Sequence, residues 1–272
     1  MAKPLPAIDL KGEERRITAF IRRVVARSGA KGVVVGLSGG VDSAVALALC
    51  VRALGRGGVL AALLPSKHTP PGDTEDAVLL ADEWRVRRVS VAISTLVDGL
   101  ISATDSDAAK LARANVQARI RMTILYYLAN SRNLLVVGTG DRSEELLGFF
   151  TKFGDGGADF LPIAHLYKTQ VRQMGTHLGI PPSIVNKPAS PQLWPGHTAE
   201  EELPAGYEKL DVVMHCLFDA GGSVPRAATE AGVSRMVVEQ VLEMNRKSAH
   251  KRTLPPSLRP PSGQTLFMRT KD

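Results

Sequence analysis

The fold is decided by the stretch Gly32-Val33-Val34-Val35-Gly36-Leu37-Ser38-Gly39-Gly40-Val41-Asp42-Ser43. Its first half is a short, continuous β-branched run, which is typical of a strand buried on both faces in a parallel sheet. The polar SGGVDS segment follows at once, and an apolar helical run begins at Asp42 and ends before Gly55. This succession predicts a strand, a turn and a helix, with the turn at the carboxyl end of a parallel sheet.

The rest of the chain repeats this alternation of strands and helices. Short β-branched or apolar runs predict strands at 59–64, 86–93 and 134–137. Helical patterns are predicted at 13–28, 74–84 and about 107–130, with a further helix from near Asp141. The order predicts an α/β fold, a doubly wound parallel sheet with helices on both faces.

A smaller helical segment is predicted at 205–252, within a single domain that spans residues 1–272. Inside it, residues 224–247 form a helix-turn-helix pattern with Gly232 at the turn. Such a pattern is compatible with DNA binding, but two packed helices joined by a glycine turn are common in proteins of other functions.

Composition limits the classes of partner. The net charge of +7 suits anionic partners, yet lysine and arginine are scattered, which favours phosphorylated small molecules over nucleic acid. No run of about 18 apolar residues predicts a membrane span, and the N-terminus has no apolar signal core. Cys50 and Cys216 lie in apolar or amphipathic runs, where we expect buried thiols and a cytoplasmic protein.

The SGGVDS segment has the chemistry of a phosphate-binding loop. Gly39 and Gly40 let the backbone approach a phosphate, Ser38 and Ser43 offer hydroxyls, and the helix N-terminus adds free N–H groups. Asp42 would repel phosphate unless Mg²⁺ lies between them. A simpler alternative is that a polar residue here only caps the helix.

This segment resembles the loop of the ATP pyrophosphatase superfamily, whose members cleave ATP between the α- and β-phosphates. Further stretches resemble the NAD synthetase family in particular, and the GFFTKFGDGG block is the most specific of them. They are residues 115–122 (NVQARIRM), 138–144 (GTGDRSE), 148–159 (GFFTKFGDGGAD), 166–170 (LYKTQ), 193–196 (LWPG) and His250-Lys251-Arg252.

The resemblance implies an adenine nucleotide alpha-hydrolase-like fold, ATP as co-substrate and a set of site residues. ATP would be bound by Gly36, Leu37, Ser38, Gly39, Gly40, Val41, Asp42, Ser43, Thr139, Lys168 and Ser190. Deamido-NAD would be bound by Arg119, Lys152, Asp159, His250 and Lys251. Mg²⁺ would be held by Asp42 and Glu144, and Asp155 would serve as the catalytic general base.

Several of these residues also have ordinary structural explanations. Asp141 and Glu144 have the spacing of a capping box, which by itself would account for both. Arg119 could be a surface ion-pairing residue, and the loop around Lys152 could be a mobile turn. Ser190 stands where relatives often have threonine, which keeps the hydroxyl.

The activity implied is the ATP-dependent amidation of deamido-NAD through an acyl-adenylate, with release of AMP and pyrophosphate. Because neither cysteine belongs to a Cys-His glutaminase pattern and no glutaminase domain is recognisable, ammonia is the expected nitrogen source. Rival functions are a GMP synthetase subunit, a tRNA-modifying enzyme, a non-catalytic nucleotide-binding module and a DNA-binding regulator.

The resemblance also implies a homodimer with deamido-NAD sites at the interface. The helix at 107–130 is the candidate interface, although it could instead pack only on its own sheet. The apolar surface expected there comes from Leu111, Ile120, Ile124, Tyr127 and Leu128.

Overall fold

The computed structural model describes residues 5–104, 107–194 and 196–258. Pro195 of the 193–196 stretch, the first four residues and the predicted domain's last residues lie outside the described part. The centre is a four-stranded parallel sheet in the order β3-β2-β1-β4, as the alternation predicted. Its strands are β1 (Val33–Gly36), β2 (Val59–Leu63), β3 (Arg87–Ser90) and β4 (Leu135–Val137).

Helices cover both faces of the sheet, so the doubly wound α/β prediction is confirmed. They are α1 (Leu10–Ser28), α2 (Val41–Leu54), α3 (Pro71–Glu83), α4 (Ser94–Thr104), α5 (Lys110–Arg132), α6 (Arg142–Leu147), α7 (Lys168–Leu178), α8 (Pro182–Val185), α9 (Tyr207–Met214), α10 (Val224–Ala231) and α11 (Arg235–Lys247). Short 3₁₀ turns lie at Arg56–Gly58, Ala199–Glu201 and Ala249–Lys251, and a π turn lies at His215–Asp219. None of the described helices is both long and apolar enough to cross a bilayer.

The alternation of side chains along β1 divides the interior into two layers. Val33 and Val35 point into a core shared with α1, α2 and α7, whereas Val34 points into a core shared with α4 and α5. Residues 44–50 of α2 are all fully buried. Because α2 is packed on every side over this stretch, the turn that precedes it is held in a fixed position.

The C-terminal helices form a third core of their own. The buried residues of α9, α10 and α11 pack with Leu147 and Tyr167, which belong to the α/β part. Gly232 adopts φ 62° between α10 and α11, in the left-handed region that favours glycine. The predicted helical segment is therefore present and is joined to the sheet region near α6 and α7.

Two details differ from the expectations. The helix α4 was not predicted, and β3 is shorter than the predicted strand at 86–93. Leu128 was expected to contribute exposed interface surface, and that is wrong, because it is only 7% exposed and packs on its own sheet. Ile120 and Ile124 are half-buried in the same core, while Leu111 and Tyr127 are exposed.

Candidate active site

A cavity of about 480 Å³ opens at the carboxyl ends of the strands. It lies where ligands bind in doubly wound sheets. The predicted residues that line it are Gly36, Leu37, Ser38, Asp42, Ser43, Thr139, Glu144, Asp155, Ser190 and Lys251. The predicted residues outside its described lining are Gly39, Gly40, Val41, Arg119, Lys152, Asp159, Lys168 and His250.

The phosphate loop is tied by its own hydroxyls. Ser43 Oγ accepts from the Ser38 amide at 3.2 Å and donates to the Gly40 carbonyl at 2.9 Å. Gly39 has φ 82°, and a Cβ there would lie 2.2 Å from the carbonyl oxygen of Asp73. No larger residue fits at position 39, so the glycine is required both by conformation and by space.

Behind the loop, one lysine joins three carboxylates. Lys168 Nζ lies 2.8 Å from Asp42 Oδ2, 2.8 Å from Glu144 Oε1 and 3.0 Å from Asp141 Oδ2. Lys168 and Asp141 are completely buried. Lys168 thus contacts the predicted metal carboxylates directly, and a role in holding ATP itself stays a prediction. The sequence did not predict the contact between Asp141 and Lys168, because the N-cap position of Asp141 was already a sufficient explanation for an aspartate there.

The capping box and the proposed metal role of Glu144 exist together. Asp141 Oδ1 accepts from the Glu144 amide at 2.8 Å, and Glu144 Oε2 accepts from the Asp141 amide at 3.3 Å. The other oxygen of Glu144 contacts Lys168, and the side chain lines the cavity. The cap therefore holds Glu144 in place at the cavity wall.

The charge of this cluster is unbalanced. Lys168 is the one cation that the described residues place in contact with its three carboxylates. Burial raises the pKa of Asp141 to about 7 against the opposing effect of Lys168, and burial also raises the pKa of Glu144 well above its ordinary value. Burial would lower the pKa of Lys168, but the carboxylates raise it well above its ordinary range.

These features fit a divalent cation. Asp42 Oδ1 is buried without a hydrogen-bond partner, and three carboxyl groups share Lys168 as their cation. The described residues contain no group of three or more His, Cys, Asp or Glu side chains arranged as a complete metal site. Asp42 and Glu144 would therefore supply two oxygens, and the remaining ligands would be phosphate oxygens and water, as is usual for Mg²⁺.

A buried aspartate from the C-terminal segment holds the helix that carries Lys168. Asp211 Oδ1 accepts from Ser143 Oγ at 2.6 Å, and its Oδ2 accepts from the amide and hydroxyl of Thr169 at 2.9 and 2.8 Å. Ser143 Oγ in turn accepts from the Lys168 amide at 2.9 Å. Sequence reasoning missed this residue, although a charged side chain inside the apolar run Leu210 to Val213 was a usable signal.

The glycine-rich loop, residues 151–159, presents Asp155 to the cavity. Asp155 Oδ1 accepts from the Thr151 amide at 2.9 Å, and Thr151 Oγ1 contacts Asn115 Oδ1 at 2.9 Å. Although the side chain is open to the cavity, the surrounding protein removes much of its hydration and raises the pKa of Asp155. A carboxylate in this environment accepts a proton more readily than one in water.

Arg121 also lines the cavity and was not predicted. Its Nε donates to the Leu64 carbonyl at 3.0 Å, just beyond the end of β2. Burial lowers the pKa of Arg121 to about 10, while the nearby charge of Asp155 opposes the shift. This arginine lies inside the NVQARIRM stretch, whose resemblance drew attention to Arg119 instead.

The predicted deamido-NAD residues divide into three groups. Lys152 Nζ donates to the His250 carbonyl at 2.6 Å, and Arg119 donates to the Lys152 carbonyl at 3.3 Å, so these three lie together outside the cavity lining. Lys251 lines the cavity and donates to the Gly148 and Phe150 carbonyls at 2.7 Å each. Asp159 lies apart and accepts from the Val136 amide of β4 at 2.7 Å.

The described part of the proline-rich loop, residues 186–204, packs against α5. The ring of Trp194 stacks on His197 with centroids 3.4 Å apart, and Lys110 Nζ lies 3.9 Å from the centre of the Trp194 ring. Gln117 of α5 donates to the Leu193 carbonyl at 2.9 Å. Ser190 Oγ donates to the His197 carbonyl, so its hydroxyl is engaged within the loop while the residue lines the cavity.

Comparison with known proteins identifies the family. The sequence model of the family described as NAD synthase matches residues 13–255. The NH(3)-dependent NAD(+) synthetase of Hyperthermus butylicus is 49% identical over 265 residues, which cover 97% of this chain and 96% of that protein. The NMN synthetase structure from Francisella tularensis has a TM-score of 0.83 and 32% identity, covering 93% of this chain and 99% of that one. The NH3-dependent NAD synthetase structure from Campylobacter jejuni has a TM-score of 0.79 and 28% identity, with coverages of 93% and 100%. The resemblance found in the sequence is confirmed: the chain belongs to the NAD synthase family.

Proposed function

We propose that this chain is an ammonia-dependent NAD synthetase, a ligase that converts deamido-NAD to NAD with ATP and ammonia. The observation that carries the proposal is the cavity that brings the phosphate loop, the Asp42 and Glu144 carboxylates and Asp155 together. The family match and the relatives' names support the same activity. The rival functions within the superfamily lack comparable support.

The first chemical step is adenylation of the substrate carboxylate. A carboxylate oxygen of deamido-NAD attacks the α-phosphorus of ATP, the bond to the β-phosphate oxygen breaks, and pyrophosphate leaves. Ser38 and the N-terminus of α2 would bind the leaving pyrophosphate with hydroxyl and amide donors, and Ser43, whose hydroxyl donates to the Gly40 carbonyl, would hold the loop around it. No covalent bond to the protein is needed, because positioning and charge neutralisation account for the catalysis.

Mg²⁺ would be held by Asp42 and Glu144, with Lys168 behind both carboxylates. When bound, it would neutralise phosphate charge that the acidic cluster otherwise repels. Lys168 and Asp141 keep the two carboxylates in place, and the capping box fixes the direction of Glu144.

The second step forms the amide. Ammonia attacks the acyl carbon of the adenylate, the attacking nitrogen loses a proton, and AMP leaves as the carbon–oxygen bond breaks. Asp155 would accept that proton, since the loss of hydration already raises its pKa. The described parts of the glycine-rich and proline-rich loops line the same cavity and would exclude water from the reactive adenylate.

The deciding experiment incubates the purified chain with ATP, Mg²⁺, an ammonium salt and deamido-NAD, and follows both NAD and AMP. Equal amounts of both products support the proposal, whereas AMP without NAD refutes it. Glutamine in place of ammonium should give little product. Efficient use of glutamine by the single chain would remove the ammonia-dependent assignment.

A second candidate substrate is the corresponding mononucleotide. It is favoured by the similarity to the Francisella tularensis structure named NMN synthetase. A parallel assay with nicotinic acid mononucleotide compares kcat/KM for the two substrates, and the larger value identifies the physiological class. Both substrates carry the same carboxylate, so the chemistry at the cavity is unchanged.

We also propose a homodimer in the cytoplasm. Arg119 and Tyr127 of α5 are both exposed, and Arg119 contacts the loop of Lys152 rather than the cavity. Deamido-NAD bound by Arg119 and Lys152 would extend away from the ATP site, as a position at the subunit interface requires. Cys50 and Cys216 are both buried as thiols, which favours a reducing compartment. The proposal includes neither a nucleic-acid partner nor a membrane.

A further inference from the structure

Lys187 connects the phosphate loop to α3. Its Nζ lies 2.6 Å from Asp73 Oδ1, 2.6 Å from Asp76 Oδ2 and 3.2 Å from the carbonyl oxygen of Gly39. Three acceptors use all three N–H bonds of a lysine ammonium. Partial burial lowers the pKa of Lys187, but the hydrogen bonds to both carboxylates outweigh this effect and raise it. The side chain is thus fully engaged by the protein.

A contact to the Gly39 carbonyl also orients the next amide of the phosphate loop. Gly39 C=O and Gly40 N–H belong to one planar peptide, so fixing the oxygen also fixes the direction of the N–H on the opposite side. The Gly40 amide meets Ser38 Oγ at 3.3 Å, and Ser38 lines the cavity. Lys187 therefore stands on the far side of a peptide whose N–H is turned toward the cavity residue Ser38.

The same contacts reach the proline-rich loop. Lys187 lies at the beginning of this loop, and Gln192 Nε2 further along it donates to Asp73 Oδ2. The carbonyl of Asp73 in turn fills the space beside Gly39, where a Cβ would be only 2.2 Å away. One aspartate at the start of α3 thus contacts both the phosphate loop and the loop that carries Ser190.

We propose that Lys187 is a positioning residue for ATP, holding the phosphate loop in the conformation that receives the pyrophosphate part. The inference rests on the ATP-binding part of the proposed function. Lys187 acts through the Gly39 peptide and through Asp73, without being required to touch the nucleotide. The competing explanation is that Lys187 only fastens α3 to the proline-rich loop, in which case its loss lowers stability and leaves ATP affinity unchanged.

The test measures binding of Mg·ATP to the whole chain by calorimetry, without deamido-NAD. Lys187→Met should weaken ATP binding about tenfold, since small displacements of positioning groups have large effects. Asp76→Ala removes one of the three acceptors and should weaken it roughly threefold. Lys187→Arg should recover part of the loss. Lys67→Met is the matched control, because Lys67 forms a similar 2.8 Å ion pair with Asp98 away from the loop.

Kinetics give the second readout. The KM for ATP should rise in Lys187→Met while the KM for deamido-NAD changes less than twofold. A folded Lys187→Met protein with wild-type ATP affinity would overturn the proposal. If that variant does not fold, Asp76→Ala decides, and unchanged ATP affinity there overturns it equally. A wild-type protein that binds ATP but makes no NAD would refute the proposed function and leave this inference testable by binding alone.

Discussion

Lys168 Nζ lies 2.8 Å from Glu144 Oε1, although the two residues belong to different helices and Glu144 already completes a capping box. Helix capping and the site's electrostatics therefore share one side chain. The cap holds the Glu144 amide and one carboxylate oxygen, the lysine holds the other oxygen, and the side chain faces the cavity. A residue with a sufficient local explanation can still belong to the reaction site.

The first prediction concerns Asp42 and Glu144, the two carboxylates proposed to hold Mg²⁺. Asp42→Asn should lower kcat about 100-fold or more, because a charge that neutralises phosphate is lost from a preorganised site. The kcat of Glu144→Gln should fall nearly as far, and this variant should need more Mg²⁺ to reach its half-maximal rate. Steady-state rates across a Mg²⁺ series provide the measurement. Full activity of Glu144→Gln with only a lower Tm would leave Glu144 a capping role alone.

Removal of Lys168 should expose the charge imbalance of the cluster. Lys168→Met leaves buried carboxylates without their cation and should destabilise the fold by about 3–5 kcal/mol. Mg²⁺ should restore part of this stability if Asp42 and Glu144 bind it. Thermal unfolding with and without Mg²⁺ measures both effects. The matched Lys67→Met variant breaks an exposed pair and should cost less than about 1 kcal/mol.

Stability without metal should fall as pH rises from about 4 to 7. Burial raises the pKa of Asp141 to about 7 in the folded protein, so over this range the folded state holds a proton that the unfolded state has released. The free energy of unfolding therefore decreases as the pH rises through this range. Mg²⁺ prefers the ionised cluster and should flatten or reverse the trend. Tm measured across this pH range, with chelator and with Mg²⁺, checks the sign, and Asp141→Asn should reduce the slope, while Glu144, whose pKa burial also raises, keeps part of it.

The architecture was largely predictable because it depends on local patterns. The β-branched run before Ser38 and the glycines after it determined the site's position at the sheet edge. The helix α4 was missed because residues 94–104 mix Gly99 with β-branched residues and give no clear period. The contacts of Lys187 with Asp73 and Asp76 join positions more than a hundred residues apart, and no local pattern encodes them.

Asp155 should separate the two chemical steps. Asp155→Asn should lower the rate of amide formation by about 100-fold or more, since it removes the proposed general base. Exchange of labelled pyrophosphate into ATP, which reports adenylation alone, should change far less. Asp98→Asn is a suitable control at an exposed ion pair. Equal losses in exchange and amidation would instead give Asp155 a binding role.

The final prediction concerns assembly, and the structure makes it more specific than the sequence did. With Leu128 buried, Tyr127 is the large apolar residue on α5 that remains exposed away from the cavity lining, at 71%, among the residues described. An isologous interface would place the same helix of both subunits across a two-fold axis. Tyr127→Glu should then yield monomers that bind deamido-NAD poorly but still bind ATP. Leu79→Glu, at a residue 65% exposed on α3 across the sheet, should remain dimeric. Sedimentation at micromolar concentration, paired with calorimetry for each ligand, provides the measurement. A wild-type monomer with full activity would remove the interface from the proposal, because deamido-NAD would then be bound within one chain, and it would leave the adenylation chemistry of Asp42 and Glu144 intact.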